Sequence, residues 1–384
     1  MKNKKLLIAI LSAAILIKFS LFIFGTLRVP QSKFDSDSED YLNTASTLYT
    51  KAAFAKQDSF GQLQSNVFRT PGYPIFLAFT HNFLKIPLSG VIFLQVLLTM
   101  LAAFIVYKTA IQIEGRIAFL SAVIILFDLP VSVFSLKIMT ESLFLLVVSF
   151  FIYTFIRYLK TAKVGLILLA SALLAAATYI RPISYYLGIF SALFIVYANA
   201  PRNFKVAFTH AAISLVLIYS LLGAWQIRNY RCCGEKFFAS VARSNFQIYG
   251  LIKEPQSVGD NSITGKAKQA ANYAYDSWRS FLSLMTRPGT LKYFESKPVT
   301  IASKVLAYPW MVLWMIGFLA GVYKIRKNIY YQFLLIVILY FVGVSVLNLS
   351  DAVSERFRVP IVPCIAILSA YGWLSFSKTA SIKK

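Results

Sequence analysis

Four carboxylates, Asp35, Asp37, Glu39 and Asp40, crowd into one short run of a 384-residue chain that has only 15 acidic residues. A helix-like segment follows from Tyr41 to Lys56, and the stretch closes on Arg69-Thr70-Pro71-Gly72-Tyr73-Pro74. Further on, Glu141 stands behind Thr140 at the head of an apolar segment, and Arg181, Arg228, Arg356 and Arg358 sit at the ends of others. With only two histidines, His81 and His210, imidazole catalysis and a His-rich metal site have little to draw on. Of the three cysteines, Cys232 and Cys233 are adjacent, and sequence neighbours rarely meet disulfide geometry, so no disulfide framework is expected. Chemistry must run on carboxylates, arginines and lysines. A plainer account of the acidic run is helix capping by Asp37 or Ser38, with Glu39 and Asp40 favouring the positive first turn. Capping does not explain why an acidic helix start directly follows the first long apolar segment.

The elements that must position these residues are membrane helices. The chain is 58% apolar and 14% charged, against roughly 45–50% and 25% in a soluble domain. Its apolar runs are far longer than a barrel strand. The expected fold is all-α and polytopic, with ten spans near 5–27, 89–107, 117–136, 141–158, 164–180, 184–199, 206–226, 302–322, 329–348 and 359–376. Lys2, Lys4 and Lys5 before Leu6–Ile17 resemble a signal peptide, but no small-residue cleavage site follows, so an uncleaved signal anchor is expected. Lys18 is expected to snorkel to the outer interface. The apolar stretch 72–84 is short and flanked by prolines, and reads as an interfacial or re-entrant helix.

Charge supports that count. With both termini inside, every short inner loop is basic, as the positive-inside rule asks, and Glu114 is the only inner acid. Counting 72–84 as a span would invert everything after it and break the pattern. The other acids fall on the outer side, which marks that face as the working one. Apart from Asp128, few charges reach mid-membrane depth, so a charged pore or proton relay is poorly supported. The expected division is a signal-anchor helix at 1–27, an extracytoplasmic catalytic loop with interfacial helices at 28–88, and a transmembrane core at 89–226. A long extracytoplasmic loop at 227–301 and C-terminal spans with a short cytoplasmic tail at 302–384 complete it. Within the long loop, Lys266–Met285 reads as helix, broken by Arg287-Pro288-Gly289, with another turn or two over Thr290–Ser296. This loop is net basic, which suits anionic headgroups or a phosphate-bearing substrate. The overall charge of +24 is therefore no argument for nucleic-acid binding.

The order first span, Asp37-Ser38-x-x-Tyr41-x-x-x-Ala45, Arg69-x-Pro71-Gly72-Tyr73-Pro74 resembles the lipid-linked-sugar-dependent glycosyltransferases of the GT-C superfamily. Within it, the pattern is most similar to the bacterial group of aminoarabinose transferases, protein O-mannosyltransferases and rhizobial core-oligosaccharide transferases. Thr140-Glu141-Ser142-Leu143-Phe144, Arg181-Pro182, Trp225-Gln226-Ile227-Arg228-Asn229-Tyr230 and Glu355-Arg356-Phe357-Arg358-Val359-Pro360 follow in the same order. The resemblance covers the chain to about Gly372 but not 232–297. It implies inverting transfer of a sugar from a polyprenyl-phosphate donor to a lipid, glycan or protein acceptor. The setting is the extracytoplasmic face of a multi-pass protein of the bacterial inner membrane.

It also implies Asp37 as general base, with Asp35 the rival one slip away, and Glu141 at the family's second acidic position, orienting the acceptor or helping to bind a metal. Arg69, Arg181, Arg228, Arg356 and Arg358 become candidates for the lipid phosphate, since guanidinium forks match phosphate oxygens. Interfacial arginines pairing with headgroups are the plainer reading. The aminoarabinose-type enzymes tend to carry lysine where this chain has Thr70, which leaves the sugar open. Tyr73, Trp225 and Tyr230 could line a prenyl or sugar groove, or simply belong to an aromatic belt. The superfamily varies in its use of a divalent metal, Mg or Mn, and Asp37 with Glu141 is a small ligand set; no other cofactor is implied. The rival class is a transporter or flippase for a lipid-linked glycan, which calls for buried ionisable residues and paired broken helices.

Overall fold

The structure is a computed structural model, and it describes residues 2–201, 203–240, 263–289, 297–325, 328–347 and 355–381. It is a helical membrane bundle. In chain order the helices are α1 (Lys2–Arg28), α2 (Ser38–Lys51), α3 (Gly72–Leu77), α4 (Leu88–Ile113), α5 (Ala118–Leu126) and α6 (Leu129–Ser135). Then come α7 (Glu141–Thr161), α8 (Val164–Ile180), α9 (Leu187–Asn199), α10 (Phe204–Cys233), α11 (Ile263–Thr286), α12 (Lys297–Tyr323), α13 (Ile329–Leu347) and α14 (Val362–Ser381). Among the described residues, eight helical segments are long and apolar enough to cross a membrane, and the bent pair of 115–126 with α6 makes a ninth. The remaining expected span, α8, is a shorter apolar helix. Segment 72–84 is α3 running into a turn of π-helix at Ala78–Phe83, too short to cross.

Three expectations are corrected. The span expected at 117–136 is broken: its two halves meet at 52°. The Asp128 carboxylate caps α6 by accepting the Val131 N–H (3.0 Å), and Pro130 lies in the first turn of α6. An N-cap residue followed by proline restarts a helix in a new direction. The helix expected through Lys56 stops at Lys51, where Ala52 turns left-handed (φ 49°) and leads into a hairpin of β1 (Ala55–Gln57) and β2 (Leu63–Ser65). Lys18 does not snorkel. It is 2% exposed, and its ammonium donates to Ser132 Oγ (3.0 Å) within electrostatic reach of Asp128. The helix expected at Lys266–Met285 is present as α11, whereas Thr290–Ser296 lies outside the described residues.

The main core draws on α4 to α10 and α12 to α14, and Phe144, Phe151, Phe155, Phe333 and Phe341 are among its fully buried side chains. A second, smaller core joins α2 and α3 to the bundle through Tyr41, Ala45, Tyr73, Leu77, Val96 and Ile138. Buried polar contacts set the register between these parts. The Tyr73 hydroxyl donates to Gln95 Oε1 (2.7 Å), while Gln95 Nε2 donates to the carbonyls of Ser135 (3.2 Å) and Lys137 (2.6 Å). Ser38 Oγ donates to the Ile138 carbonyl (2.9 Å), and the Ile138 N–H donates to Lys33 O (2.8 Å). The short turn 137–140 is thereby tied to the start of α2, which brings Glu141 beside the acidic run.

Candidate active site

Asp37 occupies the N-cap position of α2, but its side chain makes no cap hydrogen bond. It faces arginines. Arg69 Nη2 donates to Oδ1 (2.7 Å), and Arg356 Nη1 and Nη2 both donate to Oδ2 (3.1 Å each). Arg69 also donates through Nε to Asp40 Oδ2 (2.7 Å), whose other oxygen pairs with Lys56. Arg356 Nε pairs with Glu141 Oε1, which also accepts from Arg181 Nη1 (2.7 Å). The result is an alternating file, Lys56–Asp40–Arg69–Asp37–Arg356–Glu141–Arg181, that joins residues up to 319 positions apart. Asp35 stands beside it, paired with Lys137.

Local structure explains each placement. Asn66 fixes the turn before Arg69: its Oδ1 accepts the N–H groups of Phe68 and Arg69 (3.0 Å each), and its amide donates to Thr44 Oγ1 (2.9 Å). The Arg69 guanidinium lies over the Tyr41 and Phe68 rings, 4.9 and 4.8 Å from their centroids. Thr70 Oγ1 donates to the Ile180 carbonyl (3.0 Å), and Gly72 lies against the Tyr179 backbone, so the Arg69 segment packs on the end of α8 just before Arg181. Arg356 comes from the short 3-10 helix Glu355–Ile361 that leads into α14.

Burial alone would raise the Asp37 carboxyl, but the Arg69 and Arg356 guanidiniums outweigh it and hold the group below the usual carboxylate range. At Asp35, burial again opposes ionisation and is outweighed by Lys137, so this group is also lowered. Both carboxylates are ionised at neutral pH, able to orient a hydroxyl and to take its proton as a bond forms. Glu141 is 1% exposed, whereas the side chains of Asp37 and Arg356 are 22% and 20% exposed, so the cluster opens on the Asp37 side.

Of the residues singled out from the sequence, Asp37, Asp35, Glu141, Arg69, Arg181 and Arg356 converge here. Arg228 and Arg358 are engaged elsewhere. Arg228 donates to the carbonyls of Asn66 (3.0 Å) and Phe54 (2.8 Å), lying over Trp225, and so pins the hairpin. Arg358 is 1% exposed and donates to the carbonyls of Leu284 (2.9 Å), Met285 (3.3 Å) and Arg287 (2.8 Å), which closes the end of α11. Tyr73 is buried edge-on against Tyr41, Trp225 packs edge-on to Phe54, and Tyr230 is exposed. Sequence reasoning gave Asp40 only a place in the first turn of the helix and assigned no part to Lys56 or Lys137. Asp40 lay in the acidic run with a signal no different from that of Glu39, and Lys137 had none beyond its place in the short turn before α7.

Residues 69–225 match the sequence model of the family described as dolichyl-phosphate-mannose-protein mannosyltransferase. No curated protein gives a significant sequence match. Several solved structures share the fold. The Archaeoglobus fulgidus oligosaccharyltransferase AglB, in complex with an inhibitory peptide and a dolichol-phosphate, aligns with a TM-score of 0.55 at 14% identity, covering 99% of this chain and 51% of that one. The same enzyme in complex with Zn and sulfate aligns with a TM-score of 0.56 at 15% identity, covering 96% and 49%. ArnT from Cupriavidus metallidurans, bound to undecaprenyl phosphate, aligns with a TM-score of 0.58 at 12% identity, covering 94% and 59%. The chain thus spans about half the length of the oligosaccharyltransferase, and at these identities the likeness is one of fold.

Proposed function

We propose that this multi-pass membrane protein, which has the fold of the GT-C superfamily, is an inverting glycosyltransferase. It moves a sugar from a polyprenyl-phosphate donor to a lipid, glycan or protein acceptor on the extracytoplasmic face of a bacterial inner membrane, with both termini cytoplasmic. The observation that carries this reading is the convergence of Asp37, Glu141, Arg69, Arg181 and Arg356 in one file that opens on the Asp37 side. The family match and the lipid phosphates bound by ArnT and AglB support it.

Residues 28–88 form the catalytic loop, with 89–226 as the core that carries Glu141 and Arg181, and 227–301 as the outer loop. Asp37 takes the acceptor's proton, with Asp35 as the alternative base. Glu141, held by two arginines, fixes Arg356 and Arg181. Arg69, Arg181 and Arg356 receive the phosphate, because Arg228 and Arg358 are spent on main-chain carbonyls. No step in this scheme needs Mg or Mn.

The broken span and the buried Lys18 and Asp128 favour a second reading, a transporter or flippase for a lipid-linked glycan. Against it, the described residues contain a single bent pair, and Asp128 is spent on a helix cap. The test uses wild type and Asp37→Asn in lipid nanodiscs with a panel of polyprenyl-phosphate sugars, following thermal stabilisation and release of polyprenyl phosphate. One donor stabilising both forms, with release by wild type alone, is the expected result. Stabilisation of neither form removes the phosphate site and leaves the transporter. Equal release by both forms moves the base to Asp35.

A further inference from the structure

We infer that Arg356 takes the place of a divalent metal ion in this chain: its guanidinium bridges Asp37 and Glu141, and sugar transfer here runs without a metal. This rests on the glycosyl-transfer reading above. One protein of the same fold has been solved with Zn and sulfate, and two carboxylates turned toward one another are where an ion would be looked for. In this structure those two carboxylates are Asp37 and Glu141, and what joins them is a side chain. Arg356 Nη1 and Nη2 lie 3.1 Å from Asp37 Oδ2, and Nε pairs with Glu141 Oε1.

The residues present do not fit a metal. Asp37 Oδ1 is taken by Arg69 (2.7 Å), Glu141 Oε1 by Arg181 (2.7 Å), and Glu141 Oε2 faces the Thr140 hydroxyl (3.4 Å). Among the described residues no group of three or more His, Cys, Asp or Glu side chains is placed to hold an ion. A protein zinc site draws on three or four such ligands, and magnesium needs near-octahedral oxygen coordination. Charge argues the same way. In the file as a whole four cations, Lys56, Arg69, Arg356 and Arg181, face three carboxylates, Asp40, Asp37 and Glu141, so a divalent ion would enter a site that already carries a net positive charge. Aspartate and glutamate bridged by a guanidinium are satisfied in both charge and geometry.

The exchange has a chemical consequence. In the transfer step the acceptor oxygen bonds to the sugar C1, the bond from C1 to the phosphate oxygen breaks, and its electron pair stays on that oxygen. The acceptor proton passes to Asp37. The cation facing the developing phosphate charge is then one the chain itself carries, always charged and held on one side by the buried Glu141. It cannot be chelated, and it cannot be lost to competition for metal.

The test uses full-length protein in nanodiscs, freed of metal by EDTA and dialysis, with undecaprenyl phosphate as the probe. Lipid affinity and Mn²⁺ binding by electron paramagnetic resonance are read for wild type, Arg356→Ser and Arg356→Lys. Wild type is expected to bind the lipid phosphate equally well in EDTA and in Mn²⁺, with no stoichiometric Mn²⁺ signal. Arg356→Ser is expected to lose at least about tenfold in affinity, as befits a lost charge-assisted contact, while Arg356→Lys, which keeps the charge, loses less and stays insensitive to metal. A wild type that binds Mn²⁺ stoichiometrically and gains about tenfold or more in lipid affinity from it overturns the inference and leaves the glycosyl-transfer reading standing. So does Arg356→Ser binding as wild type does. Failure of folded wild type to bind the lipid phosphate under any metal condition overturns both.

Discussion

Gly72→Ala is the sharpest test of how the fold aims the site. A Cβ at this position would lie 2.8 Å from both C and O of Tyr179 and 2.9 Å from Ile180 Cγ1, where ordinary contact begins near 3.4 Å. Two of those atoms are backbone, so no rotamer change relieves the clash, and the segment carrying Arg69 must retreat from the end of α8 by about half an ångström. That retreat also stretches the Thr70–Ile180 hydrogen bond, now 3.0 Å. Arg69 and Arg181 flank this contact, and each is bonded at 2.7 Å to a different carboxylate of the file. A misplacement of 1 Å can cost about a hundredfold in rate, so half that points to a loss of about tenfold in polyprenyl-phosphate release. Overpacking of this kind costs about 1–3 kcal/mol. The control is Gly223→Ala on α10, where an added methyl meets nothing within 4 Å. Turnover and thermal unfolding would be measured for both in the same nanodiscs. If Gly72→Ala matches Gly223→Ala in both, the close approach does not aim the arginines, and the argument fails.

Asp37→Asn is expected to lower release of polyprenyl phosphate by about 10²–10⁴-fold and to lower the unfolding temperature without abolishing the fold, since Arg69 keeps Asp40 and Arg356 keeps Glu141; parallel rate and unfolding measurements check this. Because Asp35 and Asp37 are both lowered, their stabilising contribution is complete above the ordinary aspartate value near 3.9. It is lost as pH falls through the lower folded-state values. Unfolding temperature is therefore expected to fall steeply below about pH 4, and less steeply in Asp35→Asn. Arg358→Met is expected to cost about 3 kcal/mol or more, because it leaves the α11 carbonyls open and removes a positive charge near the buried Asp128. Adding Asp128→Asn is expected to recover part of that loss, as a double-mutant cycle would show.

The architecture was largely legible because lipid imposes one rule, long apolar runs, and each expected span has a helical counterpart, one of them bent. The site was legible in its parts. Asp37, Arg69, Glu141, Arg181 and Arg356 could each be picked out as a polar residue beside an apolar segment, but nothing local tells a guanidinium that reaches a carboxylate from one that reaches a carbonyl. Arg356 and Arg358 show this: two residues apart with the same chemistry, one enters the charged file and the other closes α11. The break at Asp128 did carry a local signal, an N-cap aspartate followed by proline, outweighed by the continuous apolar character around it. Lys18 misled because snorkelling is the rule for a lysine near a span end, and only packing shows that Ser132 and Asp128 are waiting for it.

The pairing of Arg356 with Arg358 has a mechanical side. Two residues of extended chain span at most about 7 Å, so the anchor that holds the tip of α11 and the cation that bridges Asp37 and Glu141 are rivets on one short plate. Gly289, just past that tip, lies against Pro130 at the bend between α5 and α6. A force that lifts α11 from the bundle is therefore felt at the bridging guanidinium before it has travelled far, and a molecule wedged under α11 would loosen the file without touching any member of it.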